Sequence, residues 1–227
     1  MGIVRYLGHS SFQLEMGGGR HILFDPWFDA APAGRNRLIA PALSRSTLPR
    51  YCDLVCISNE SFDHCSPEDV KAIVQRTNAY VVAPSDCLAR LDIPPRSKVS
   101  AQVGDRFTLL GVDVEVLPAN HPPSASPVGY IVRAGGQAAY FAGLTYEFGE
   151  MRGIAVDLAM LPIGGSFSMD SISAVNALKQ MRAKFVVPMH YNTFEKIRVD
   201  EREFFERVRR STRSTPLALQ VGQAAEF

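Results

Sequence analysis

A chain of 227 residues is long enough to bury a sizeable core, and 46% hydrophobic against 21% charged residues is the balance of a soluble globular protein. Its formal net charge of +1 gives no electrostatic case for nucleic acid or an anionic membrane as a partner. No apolar run approaches the roughly 20 residues that span a bilayer, and the opening "MGIVRYLGHSSF" lacks signal-peptide architecture, so a cytoplasmic protein is expected.

In chain order, "IVRYL", "SFQLE" and "HILF" read as strands, with Gly17-Gly18-Gly19 as the hairpin turn between the second and third. A long irregular stretch follows, roughly Pro26 to Pro49, punctuated by Pro26, Pro32, Pro41 and Pro49. A loop of that length inside a compact domain is usually functional. Its Trp27, Phe28 and Leu38 either shape a pocket mouth or pack onto the core. "DLVCIS" reads as a buried strand. "SPEDVKAIVQRT" then opens a helix with Ser66 at the N-cap, Pro67 in the first position and Asp69 three residues on, in a box-like arrangement. "AYVVAP" and "SDCLARL" add a strand and a short helix.

Beyond Pro94-Pro95, "RFTLL" and "VDVEVLP" form a hairpin around Gly111, and "GYIVRA" and "AAYFAG" another around Gly135-Gly136. "VDLAMLPI", "FVVPM" and "PLALQV" are further strands, interleaved with helices over about Ser171 to Arg182 and Glu201 to Arg210. The second half thus repeats the plan of the first. Two such halves predict two sheets packed face to face with helices outside, a four-layer α/β arrangement in one domain spanning 1–227. The four cysteines, Cys52, Cys56, Cys65 and Cys87, form no CxxC pair and read as reduced and buried. Cys65 follows His64 directly, yet packing or pocket lining is its expected role.

Of five histidines, four follow a strand: His9 after "IVRYLG", His64 in the loop after "DLVCIS", His121 after "VEVLPAN" and His190 after "FVVPM". His21 lies inside a strand and reads as structural. Residues at the carboxyl ends of strands converge on one crevice in α/β folds, so these four, with Asp25 and Asp63 similarly placed, point to a shared site.

The segments "YLGHSSF", "ILFDPWF", "ESFDHCSPEDV", "LPIGGSFSMD" and "PMHYNTF", in that order across nearly the whole chain, resemble the metallo-β-lactamase superfamily. They are most similar to its metal-dependent hydrolase branch, which includes ascorbate-6-phosphate lactonase-like proteins. The resemblance implies the four-layer αβ/βα metallo-β-lactamase sandwich with a metal site at one edge. It further implies a first metal position served by two motif histidines and a later one, here Asn59, Ser61 and His121. The second position falls on Asp63, His64 and His190. The carboxylate that bridges two ions in the family falls on Leu144. Three of the seven positions, Asn59, Ser61 and Leu144, have therefore lost their ligands.

Imidazole and carboxylate suit zinc or a similar divalent metal, whereas Asn and Ser are weak neutral donors and leucine offers none. The expectation is a degenerate binuclear site holding one ion at most, or none, on Asp63, His64 and His190. An ion there would support weak action on an ester, lactone or phosphoester. Asp63 would hold and orient, His121 and His9 would carry protons, Asp25 would orient a histidine, and Trp27, Glu60 and Tyr191 would border the pocket. Two alternatives stand beside it: a metal-free pseudoenzyme that binds a small molecule, and a metal-independent acid–base enzyme using His121, His9 and Glu60. A small-molecule substrate or ligand is the expected partner, and a homo-oligomer is left open.

Overall fold

The computed structural model describes residues 1–29 and 36–227; Pro32 of the long loop lies outside them. The chain opens with β1 (Ile3–Gly8), β2 (Ser11–Met16) and β3 (Arg20–Phe24), and reaches β4 (Leu54–Cys56) after the long loop. α1 (Pro67–Thr77), β5 (Tyr80–Ala83), α2 (Ser85–Ala89) and β6 (Lys98–Ser100) complete the first half. The second half runs through β7 (Arg106–Leu109), β8 (Val112–Pro118), β9 (Val128–Ala134), β10 (Gln137–Phe141) and β11 (Ala155–Pro162). It closes with α3 (Ser171–Gln180), β12 (Arg182–Met189), α4 (Glu201–Ser211), β13 (Thr215–Pro216) and β14 (Ala224–Glu226).

Among the described residues the strands form two seven-stranded sheets, ordered β14-β1-β2-β3-β4-β5-β6 and β13-β12-β11-β10-β9-β8-β7. Each sheet begins with antiparallel hairpins and ends in parallel strands. β1 to β3 and β7 to β10 pair antiparallel, while β3 to β6 and β10 to β13 pair parallel. Parallel neighbours need a crossover, supplied by α1 between β4 and β5 and by α3 between β11 and β12. The carboxyl ends of β3, β4, β11 and β12 therefore open towards loops that can carry chemistry.

The period-two pattern separates the layers. Ile22, Phe24, Leu54 and Cys56 point into the core between the sheets, whereas Leu23, Val55 and Val81 point outwards, against Val70, Ile73 and Val74 of α1 and Leu88 of α2. Each buried aliphatic side chain of this kind contributes about 2 kcal/mol. That packing holds α1, which at 11 residues would be marginal alone. On the far sheet, Ala174 and Leu178 of α3 and Phe204 and Val208 of α4 are buried against the strands. The result is the expected four-layer sandwich. No helix among the described residues is long and apolar enough to cross a membrane.

Three local expectations change. Ser66 is the N-cap of α1 but makes no side-chain cap. Asp69 is buried and diverted to the long loop, accepting from the Phe28 N–H at 2.7 Å and from Arg45 Nε at 2.9 Å. The stretch "PLALQV" is strand only over Thr215–Pro216. After Leu217 N–H bonds to Val186 C=O the chain leaves that sheet and crosses to β1, where β14 pairs with it. Finally β6 and β14, three residues each, are short edge strands with no apolar run to announce them.

Candidate metal centre

Each candidate side chain sits where a strand has just ended. His9 follows β1, Asp25 follows β3, Asp63 and His64 lie in the loop after β4, and His190 follows β12. Three of these turn sharply: His9, Asp25 and His190 hold left-handed backbones, with φ of 58°, 39° and 53°. That conformation costs a non-glycine residue about 1 kcal/mol, and such strain clusters at functional sites. Tertiary contacts hold it in place. The His190 N–H donates to the His9 carbonyl at 2.8 Å, which also accepts from the Tyr6 hydroxyl at 3.2 Å. Gly164, just past β11, can lie against His190 only because it has no side chain: a Cβ there would stand 2.1 Å from the His190 carbonyl oxygen.

These turns bring one ligand atom from each of His9, Asp63, His64 and His190 within 4.8 Å of one another. His9 Nε2 lies 3.1 Å from Asp63 Oδ2, and His190 Nε2 lies 3.9 Å from the same oxygen. His64 is fixed from behind: its Nδ1 donates to Asp25 Oδ2 at 2.5 Å. Asp25, wholly buried, is held in turn by the Ser58 N–H at 2.7 Å and the Ser58 hydroxyl at 2.5 Å. A carboxylate on Nδ1 sets the tautomer and leaves the lone pair on Nε2. His64 Nε2 is buried and has no hydrogen-bond partner among the described residues.

The electrostatics follow from burial and these contacts. Burial alone would lower the His64 imidazole, but the charge and hydrogen bond of Asp25 outweigh it and raise the pKa. Burial lowers His9 despite its bond to Asp63. It lowers His190 further, with the neighbouring His9 and His64 acting in the same direction. Asp63 is only partly exposed, which would raise it, yet the His9 hydrogen bond and the surrounding histidines hold it well below the usual carboxylate range. The cluster is thus an ionised carboxylate ringed by imidazoles, two of them pushed towards the neutral form.

The other side of the motif loop is different. Asn59 is buried; its Oδ1 accepts from the Ser61 N–H and its Nδ2 donates to Ser58 Oγ, both at 3.0 Å. The Ser61 carbonyl accepts from the His64 and Cys65 N–H groups at 3.0 and 2.8 Å, winding the turn that presents Asp63 and His64. Leu144 is buried, 4% exposed. His121 lies outside the group of four, its Nδ1 donating to the Phe167 carbonyl at 3.0 Å, and burial lowers its pKa. Glu60 clamps a neighbouring loop, accepting from the Ser124 hydroxyl and, at 3.2 Å, from the Ala125 N–H. No hydrogen bond joins His121, His9 and Glu60 to one another.

Trp27, 1% exposed, meets His9 edge-on at 5.2 Å and Phe62 at 5.6 Å, and stacks on Phe194 at 5.8 Å. Arg37 covers its ring at 3.9 Å. Tyr191, expected beside the pocket, stacks on Tyr6 instead and lines a cavity of about 630 Å³ with Asn192, Glu201 and Phe205. His21 stacks on Tyr51, away from the cluster, and the four cysteines are free and buried. Sequence reasoning missed Ser58, Phe62 and Phe194. Only the position of Ser58, just past β4, hinted at its contact with Asp25.

A family model described as a β-lactamase superfamily domain matches residues 3–190. The chain is 34% identical to a UPF0173 metal-dependent hydrolase of Thermofilum pendens over 100% of both chains. It is 33% identical to another from Opitutus terrae, covering 91% of this chain and 92% of that protein. Its structure resembles that of a metallo hydrolase from Ignicoccus hospitalis, with a TM-score of 0.84, 30% identity and coverage of 100% of this chain and 99% of that one. At 14% identity, CmlA, a diiron β-hydroxylase from Streptomyces venezuelae, shares the fold with a TM-score of 0.76, covering 100% of this chain and 54% of its own.

Proposed function

The chain belongs to the metallo-β-lactamase superfamily, among its UPF0173 metal-dependent hydrolases, and from that premise we propose a hydrolase-like protein with a degenerate binuclear site. It holds at most one divalent ion, on Asp63, His64 and His190, and acts weakly on an ester, lactone or phosphoester. The observation that carries this reading is His64: a buried imidazole with Nδ1 fixed by Asp25 and Nε2 left unpartnered beside an ionised carboxylate. An unsatisfied buried nitrogen costs about 1–3 kcal/mol, and nitrogen donors beside a carboxylate fit zinc or a similar divalent ion.

An ion bound there would lower the pKa of a coordinated water and polarise the oxygen of the scissile group. The chain's own residues supply the rest. Asp25 fixes the ring of His64 and strengthens its basicity. Glu60 ties the motif loop to residues 124–125 and so steadies Asp63. With Nδ1–H committed to the Phe167 carbonyl, neutral His121 keeps its lone pair on Nε2, the atom that would accept a proton from water or return one to a leaving group. Leu144 and Asn59 offer nothing to a second ion, which is why weak turnover is expected.

Elemental analysis of protein dialysed without chelator should give no more than one ion per chain. His64→Ala and His190→Ala should lose both the ion and any turnover on a panel of esters, lactones and phosphodiesters. Two tightly held ions per chain would overturn the reading. A metal-free protein that binds a small molecule without turnover would replace it with the pseudoenzyme alternative.

A further inference from the structure

We infer that His9 is a fourth ligand to the ion, so that the resting centre is coordinatively closed. This rests on the single-ion reading above and goes beyond its three-ligand set, which would leave an open position for water. His9 lies 54 residues before Asp63, yet its Nε2 stands 3.1 Å from Asp63 Oδ2. That is close to the spacing of two donors sharing one ion through bonds of about 2.0–2.2 Å. Its ring centroid is 4.4 Å from that of His190 and 5.8 Å from that of His64. Three imidazoles and one carboxylate are a full tetrahedral set, the arrangement of structural rather than catalytic zinc sites.

His9 is also poorly placed to leave. Its side chain is buried, with Trp27 at 5.2 Å and Phe194 at 5.7 Å closing the remaining sides. Its backbone is held by the His190 N–H and the Tyr6 hydroxyl. A closed ion would join the end of β1, the motif loop and the end of β12, and so tie the first sheet to the second. Its main effect would then be on stability, with turnover limited by withdrawal of His9. If His9 only oriented Asp63 through a hydrogen bond, the ion would keep an open position that a small anion can take.

The test is cobalt(II) loading of the full-length protein, read by visible absorption and titrated with azide. The wild type should bind one cobalt with the intense bands of a four-coordinate ion, unchanged by azide. His9→Ala should bind cobalt about 100-fold more weakly or worse, at or beyond the upper end of what loss of a supporting residue costs, and its spectrum should respond to azide. His9→Gln, which keeps the side-chain bulk, is read the same way if the alanine variant fails to fold. An azide-sensitive wild-type spectrum, or a His9 variant with unchanged affinity and bands, overturns the fourth ligand and leaves the single-ion reading standing. No cobalt bound by the wild type overturns both.

Discussion

On one side of the motif loop, His9, Asp63, His64 and His190 gather their ligand atoms within 4.8 Å, and His64 Nε2 has no partner among the described residues. On the other, Asn59 spends both ends of its amide on Ser61 and Ser58, Leu144 is buried, and His121 donates to the Phe167 carbonyl. Most of these side chains on both sides are buried, and the two sides differ in satisfaction. A side chain that closes its own loop has nothing left to offer an ion. A nitrogen left bare in the interior, at a cost of about 1–3 kcal/mol, is free to bind an ion, as the proposed function requires of His64. Asn59 and Leu144 are thus satisfied within the surrounding fold, while His64 Nε2 is left without a hydrogen-bond partner among the described residues.

The largest expected effect attacks the inert side. Leu144→Asp should destabilise the protein by roughly 4 kcal/mol in a denaturant melt, because its carboxylate would be buried without a partner. Adding Asn59→His and Ser61→His should let zinc recover much of that loss and bring in a second ion, read by calorimetric titration. A triple variant that binds no more zinc than its parent would show that the loop has moved away from its ligand-bearing shape.

Next comes a direct contrast. His64→Ala removes one partner of a buried pair and should cost about 3 kcal/mol, with loss of the ion. His121→Ala should cost about 1 kcal/mol and leave the metal content unchanged. Loss of the ion from the His121 variant would erase the distinction between the two sides.

A smaller effect depends on pH. Because Asp25 raises His64 above its ordinary 6.5, its contribution to the metal-free protein is fully present below 6.5 and fades as pH rises through the higher folded value. A bound ion must displace that proton, so stabilisation by zinc should run the other way and grow as pH climbs above 6.5, by at most about 1.4 kcal/mol per pH unit for one proton. Melting temperatures with and without zinc across that range would show it; an increment that shrinks with pH would count against His64 as a ligand.

The smallest change is Asn59→Ala. It opens the turn onto the Ser61 N–H at a cost of about 1 kcal/mol. Metal content should stay the same, and a drop would mean that Asn59 serves the ion after all.

The sequence by itself determined the layers and the motif. The apolar runs of "HILF", "DLVCIS" and "VDLAMLPI" specify strands buried on both faces, and the helix signals at Pro67 and in Ser171–Gln180 are local. Asp63 and His64 are legible because they are adjacent, and the residue types at Asn59, Ser61 and Leu144 because side-chain chemistry can be read without coordinates. The tertiary structure decided what each polar group does with its bonds. Asp69 looked like part of a helix cap and instead holds the Phe28 N–H, 41 residues away. Tyr191 follows a site histidine yet turns to Tyr6. His9 joins the cluster and Asp25 grips both Ser58 and His64 across separations of 33 to 54 residues. No local pattern carries such information: periodicity specifies which face a residue takes, but a buried polar group must be satisfied by whatever the packed sheets bring within about 3 Å of it.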